Sequence, residues 1–344
     1  MNSGVIAGFS ALIFAALIAI PAASAEDLTT DVMSNAAKTP VTVSVPVRTV
    51  PAPGTSGQNG IIELSVGGAD PIAVMLDTGS VGLRVWGGSR SEVAITKKRV
   101  SSVIGGTKVP GLLGTAPLSI GGVRTTVDVP IQIINVNSPY IQRWKQLGVA
   151  GVLGIGVSSG QLTNPLVALP GDLGLRWSVH FTRDTSDRSG RVGALKLGAL
   201  PPTNADMHFR LPYQGINVNG ARLWDDHAAN GCWTFAAARE YCVPTWFDSG
   251  LSAMRIKGRE FSSVPQTARG QLRPGTRVSL AAGSSSFKGD TLVAGNTYSK
   301  NLARVFASGK AEINTGNSYY FEYTVTYNVA TGDLYLSKPP RKRK

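Results

Sequence analysis

The stretch Leu76-Asp77-Thr78-Gly79-Ser80-Val81-Gly82-Leu83 decides the reading of this chain, because a degenerate copy of its centre returns at Phe247-Asp248-Ser249-Gly250-Leu251. Each aspartate follows a largely apolar run, Ile72-Ala73-Val74-Met75-Leu76 in one case and Val243-Pro244-Thr245-Trp246-Phe247 in the other. Carboxyl groups delivered from the ends of two similar strands can face each other and share one proton. One is then an acid while its neighbour is a base at the same pH. The separation of the two aspartates leaves room for one lobe around each.

Working outward, 344 residues suffice for two domains with a real core each. Gly 40, Pro 20 and only 16% charged residues describe a turn-rich chain with little long amphipathic helix. Short runs rich in Val, Ile and Thr recur between glycines and prolines: Ile61–Val66, Thr125–Ile134, Arg191–Leu197 and Tyr320–Tyr327. The fold class expected is all-β, or mainly β.

Val5–Ile20 is apolar apart from Gly8 and Ser10, and Ala23-Ser24-Ala25 precedes Glu26-Asp27. This reads as an export signal over residues 1–25, so the protein is expected to be secreted or held at the cell envelope. The stretch before it lacks Lys and Arg, and a retained anchor helix is the competing reading. Export places Cys232 and Cys242 in an oxidising compartment, where two nearby cysteines form a local disulfide. No metal-ligand spacing exists, and His180, His208 and His227 are scattered. The net charge of +13 is concentrated in part in a basic tail, 338–344, able to touch anionic envelope polymers or lipids. Nucleic-acid binding is rejected, since no motif and no interleaved aromatics accompany the charge.

Residues 26–58 read as a pro-segment or linker in which Thr42–Val50 could add a strand. Ile61–Val66 and Pro71–Leu76 form a hairpin running into Asp77. Val100–Ile104 and Val109–Leu113 form a second one, with a glycine tip. Gly151-Val152-Leu153-Gly154-Ile155-Gly156 is a strand boxed by glycines that admit a second backbone closely, and Ile313-Asn314-Thr315-Gly316-Asn317 repeats the idea. A hairpin into Asp-[Thr/Ser]-Gly followed by a glycine-bounded strand therefore occurs twice. The expected division is 59–200 for the first lobe and 201–337 for the second.

On these residues the chain resembles the pepsin-like aspartic proteases. Leu76–Leu83 looks like their first active-site loop, Phe247–Gly250 their second, and Val152-Leu153-Gly154 the element that closes the first loop. Gly151–Gly156, Ala168-Leu169-Pro170-Gly171-Asp172-Leu173, Asp248–Gly250 and Asn314–Asn317 are further similar to the protease domain of mycobacterial PE-family proteins, of the PE cleavage protein A type. The resemblance covers roughly 58–337 and implies a bilobal fold, two related β-barrel lobes with a cleft between them.

It also implies roles. Asp77 and Asp248 would hold a water between them, one taking its proton as it attacks a peptide carbonyl, the other donating to the carbonyl oxygen. Gly79 and Gly250 would keep side chains out of the water's site, and the hydroxyls of Thr78 and Ser249 would cross-brace the loops. Ser80 would donate to the outer oxygen of Asp77, which Leu251 cannot do for Asp248. Asp77 is therefore expected to be the more acidic member and Asp248 the proton carrier. Ile104, Gly105, Gly106 and Thr107 form the candidate flap. The family's flap tyrosine is missing, and Arg84 stands where an aromatic is usual, with Trp86 two residues on.

Two alternatives fail on context. Gly156-Val157-Ser158-Ser159-Gly160 matches a serine nucleophile elbow, but Gly- and Pro-interrupted sequence follows where a helix is needed. Gly154-Ile155-Gly156 lacks the third glycine of a dinucleotide loop. The reading is thus an exported, monomeric aspartic endopeptidase acting on extended polypeptides without metal or cofactor. A catalytically silent binding protein of the same fold is the competing class.

Overall fold

Apolar runs punctuated by glycine dictate strands, and strands dominate. The computed structural model describes residues 41–52, 57–86, 92–104, 106–182, 193–217, 219–236, 239–283, 292–294 and 303–338. The expected export signal, most of the segment 26–58, Gly105 of the candidate flap and nearly all of the basic tail lie outside these residues. The described part belongs to one unit, Pro40–Lys344.

Its largest sheet runs, strand by strand, through Met207–Arg210, Asp333–Ser337, Thr324–Asn328, Arg176–His180, Gly193–Leu197, Val43–Pro51, Gln58–Val66, Ile72–Asp77, Gly151–Ile155, Val81–Val85, Val129–Ile134, Thr107–Ala116 and Ala94–Ile104. A second sheet runs through Leu292–Val293, Arg277–Ala282, Ala229–Phe235, Tyr241–Trp246, Glu312–Asn314, Met254–Lys257 and Ala303–Phe306.

The duplication is visible in the ladders. Gln58–Val66 pairs antiparallel with Ile72–Asp77, and Gly151–Ile155 then lies parallel to Ile72–Asp77. Gly151–Ile155 is also antiparallel to Val81–Val85, which is parallel to Val129–Ile134. In the second sheet Ala229–Phe235 pairs antiparallel with Tyr241–Trp246, and Glu312–Asn314 lies parallel to Tyr241–Trp246. Glu312–Asn314 is likewise antiparallel to Met254–Lys257, which is parallel to Ala303–Phe306. The same sequence of directions is thus built twice, once behind each aspartate.

The run Ile72–Leu76 is apolar throughout because both faces of its strand are covered. Val74 and Leu76 enter the main core, while Met75 enters a smaller cluster with Ile61, Trp86, Val109 and Val152. The main core is continuous across both sheets and includes wholly buried Trp177, Trp233, Phe235, Tyr319 and Tyr327. Each buried Val, Leu, Ile or Phe side chain of this core contributes about 1.5–3 kcal/mol by leaving water.

The chain's ends depart from a simple two-lobe division. Val43–Pro51, expected within the pro-segment or linker, is a full strand bridging Gly193–Leu197 and Gln58–Val66. Met207–Arg210, Thr324–Asn328 and Asp333–Ser337, expected in the second lobe, join the large sheet through Arg176–His180. Tyr320–Tyr327 is not one strand: Ser318–Glu322 is a short helix, and the strand begins at Thr324. Gly316, with φ +56°, turns the chain after Glu312–Asn314 and so sets this helix beneath the second loop.

Candidate active site

Strand Ile72–Asp77 ends in a turn that wraps the carboxyl it presents. The Gly79 N–H donates to Asp77 Oδ1 at 2.9 Å, and the Ser80 hydroxyl donates to Oδ2 at 2.6 Å. Asp248 follows strand Tyr241–Trp246, and its loop acts alike: the N–H groups of Gly250 and Leu251 donate to Oδ1 at 2.9 and 3.1 Å. The outer oxygen of Asp248 is served from elsewhere. Asn314 Nδ2 donates to Oδ2 at 2.7 Å, from the end of the strand parallel to the one that delivers Asp248.

The two loops lock together. The Thr78 N–H donates to Ser249 Oγ and the Ser249 N–H to Thr78 Oγ1, each at 2.9 Å. Each hydroxyl donates onward across the junction, Thr78 Oγ1 to the Phe247 carbonyl at 2.7 Å and Ser249 Oγ to the Leu76 carbonyl at 2.9 Å. Thr78 and Ser249 are buried, so these bonds are shielded from competing water. Beneath them the hydroxyls of Tyr320 and Tyr327 lie 2.9 Å apart, and each donates to the Phe247 carbonyl. Tyr320 also lies 2.7 Å from Thr78 Oγ1. Burial pushes the Tyr320 and Tyr327 hydroxyls well above the ordinary phenol range, so both stay protonated as donors.

How closely the carboxyls face each other is read from the glycines. A Cβ added at Gly79 would overlap the Asp248 carboxyl, and one added at Gly250 would overlap that of Asp77. Each loop's glycine therefore forms the wall against the opposite acid, and only glycine fits. The electrostatic consequence falls on Asp248, whose carboxyl is pushed up to about 7. Burial is the larger cause and the charge of Asp77 the next; the Asn314 and Gly250 donors oppose the rise, and a hydrogen bond with Asp77 adds to it.

A cavity of about 250 Å³ opens beside Gly79 and Ser80. Val100–Val103 of the candidate flap hairpin, Arg84, Gln132, Ser158–Leu162 and His227 line the rest. The hairpin pairs Ile104 with Thr107, Gly106 takes φ +88°, and the edge strand Ala94–Ile104 rather than the tip faces the cavity. Ile104 packs on the cluster containing Trp86, and Thr107 is exposed. Gln132 ties both hairpin strands: Ser102 Oγ donates to Oε1 at 2.6 Å, and Nε2 donates to the Val109 carbonyl at 2.9 Å.

Cys232 and Cys242 form a disulfide across the hairpin that ends near Asp248. With Glu240 they are a group of metal-ligating residue types, but the sulfurs are bonded to each other, so the set does not suit a cation.

Reading the sequence missed four contributors. Asn314 lay inside a quoted motif but was given no role, and Arg84 was read only as a lost aromatic. Tyr320 was assigned to a strand. His227 looked isolated, yet its ring packs at a tilt against Trp246 with centroids 3.9 Å apart and lies 3.6 Å from buried Asp226. Its signal was the Asp225-Asp226-His227 run, which only the fold carries to the cavity.

No protein-family model matches the sequence, and no curated protein matches it. Among solved structures, the aspartic proteinase from Irpex lacteus is similar with a TM-score of 0.60 and 16% identity, over 87% of this chain and 97% of that one. The fold is therefore that of the pepsin-like aspartic proteinases.

Proposed function

We propose that this protein is an exported aspartic endopeptidase that cleaves extended polypeptides with a water activated between Asp77 and Asp248. The observation that carries the reading is the interlocked pair of loops, in which each glycine abuts the opposite carboxyl and one carboxyl holds its proton to about 7. In this mechanism Asp77, ionised and hydrogen-bonded by Ser80, takes a proton from the water as it attacks the scissile carbonyl. Asp248, carrying the shared proton, donates to the carbonyl oxygen. The Thr78–Ser249 brace fixes both acids before substrate arrives, so little reorganisation is needed in the transition state.

Asn314 supplies the donor that Leu251 cannot, which removes one reason for preferring a silent binding protein. The finer likeness, to the protease domain of PE-family proteins, rests on the sequence signatures alone. The same holds for export, a monomeric state and contact of the basic tail with anionic envelope components. Strand Val43–Pro51 bears on maturation: a pro-segment, if removed, would have to be cut before Val43 to spare the sheet.

The test is hydrolysis of an unfolded protein across pH 3–7, with and without a statine-type inhibitor. Asp77→Asn and Asp248→Asn should each lower kcat/KM by about 10³-fold or more. Hydrolysis that survives either substitution, or that ignores the inhibitor, would refute the reading.

A further inference from the structure

Among the described residues, a buried cation stands behind one of the two acids and not the other. Arg84, on strand Val81–Val85, is only 8% exposed. Its Nη1 donates to the Gly82 carbonyl at 3.0 Å and to Ser80 Oγ at 3.3 Å, and its Nη2 donates to the Val81 carbonyl at 3.0 Å. Its Nε is buried and has no hydrogen-bond partner among the described residues. Among those residues no carboxylate pairs with Arg84 directly. A charge buried in this way is costly, and its cost calls for a purpose.

The purpose is legible in the donor count. A guanidinium can only donate, so it occupies a lone pair on Ser80 Oγ and leaves the hydroxyl's single proton for Asp77 Oδ2, 2.6 Å away. The relay Arg84→Ser80→Asp77 therefore has one direction, toward a negatively charged acceptor. The corresponding oxygen of Asp248 receives a neutral amide, Asn314, which is not backed by any cation among the described contacts.

We propose that Arg84 is a positioning residue that acts through Ser80 to make Asp77 the ionised member of the pair, leaving the shared proton on Asp248. This deepens the proteolytic reading and rests on it. The other titratable groups around the relay are Asp248 across the cleft, His227 on the same cavity, Asp226 behind it, and Tyr320 and Tyr327 beneath the loops. Burial pulls the Arg84 guanidinium down and Asp77 pulls it back up, and a guanidinium so placed keeps its charge at any pH of activity.

The test compares the full-length protein with Arg84→Met, Arg84→Lys, Ser80→Ala and the Arg84→Met/Ser80→Ala double variant, each checked for folding by thermal unfolding. The readouts are the pH dependence of kcat/KM and a ¹³C titration of labelled aspartate carboxyls, which needs no turnover. Arg84→Met should raise the acidic limb and the lower carboxyl titration by about one unit, and Arg84→Lys by less. Adding Arg84→Met to Ser80→Ala should shift them little further, because the relay is already cut. A purely structural role would lower activity at every pH and leave the limb in place. An unmoved titration in a folded Arg84→Met protein, or full additivity in the double variant, overturns the proposal. Should Arg84→Met not fold, Arg84→Lys and Ser80→Ala still decide: equal unshifted titrations overturn it. A wild type that fails to hydrolyse would instead sink the proteolytic reading, while the titration still decides the role of Arg84.

Discussion

Replacing Asp248 by asparagine should flatten the dependence of stability on pH, and the size of that change follows from the site. The carboxyl of Asp248 rises from an ordinary 3.8 to about 7 in the folded protein, through burial first and the charge of Asp77 second. A group raised on folding adds stability that is fully present below its unfolded value and is lost as pH rises through its folded value. At about 1.4 kcal/mol per unit, the loss between pH 4 and pH 8 is on the order of 4 kcal/mol, an upper figure because the two acids titrate as a pair. The introduced amide would itself be destabilising, since its one oxygen can accept either from Asn314 or from the Gly250 and Leu251 N–H groups, and its NH2 then faces the remaining donors. That penalty is independent of pH and leaves the slope as the readout. Urea unfolding of both proteins at pH 4.5 and pH 8 measures it: wild type should lose about 2–4 kcal/mol more than Asp248→Asn over that interval. Parallel losses would refute the argument, showing that the carboxyls do not share a desolvated site.

Thr78→Val keeps the shape of the side chain but strips the acceptor from the Ser249 N–H. It should cost about 1–3 kcal/mol in urea unfolding and lower kcat with KM little changed, because the brace orients acids rather than substrate. Cys232→Ser with Cys242→Ser opens a short loop in the hairpin leading to Asp248, and stability against urea should fall by roughly 2–3 kcal/mol, an effect reproduced by reductant on the wild type. Gln132→Leu frees Ser102 and the Val109 carbonyl, loosening the hairpin over the cavity; KM should rise several-fold while Asp248 titrates as before.

What the sequence discloses and what it hides divide by the range of the interaction. The two aspartate loops were legible because their chemistry is local: the glycine, the braced hydroxyl and the apolar run all lie within a few residues of each acid. The brace is also reciprocal, and the resemblance to the pepsin-like proteases implied it once Thr78 and Ser249 stood after the two aspartates. The hairpins before each loop and the disulfide were legible for the same reason. Asn314 was not. Alignment of the loops sets Leu251 against Ser80, yet the side-chain donor to the outer oxygen of Asp248 arrives from a strand 66 positions after it. It can do so because Glu312–Asn314 runs parallel to the strand bearing Asp248 and ends beside that carboxyl.

The same logic explains Arg84. By composition it breaks an apolar strand, and a lone reading makes it a defect. Its backbone partners, the Gly82 and Val81 carbonyls, belong to the start of its own strand, directly after Ser80, so the cation is held against the end of the loop it polarises. The duplicated scaffold thus supplies two equivalent acids, and the substitutions that break its symmetry are concentrated on their outer oxygens: a hydroxyl backed by a cation on one side, an amide on the other. Two identical acids would compete equally for one proton. A pair whose outer donors differ biases which acid carries the shared proton, and so gives each acid a fixed task in the proposed mechanism.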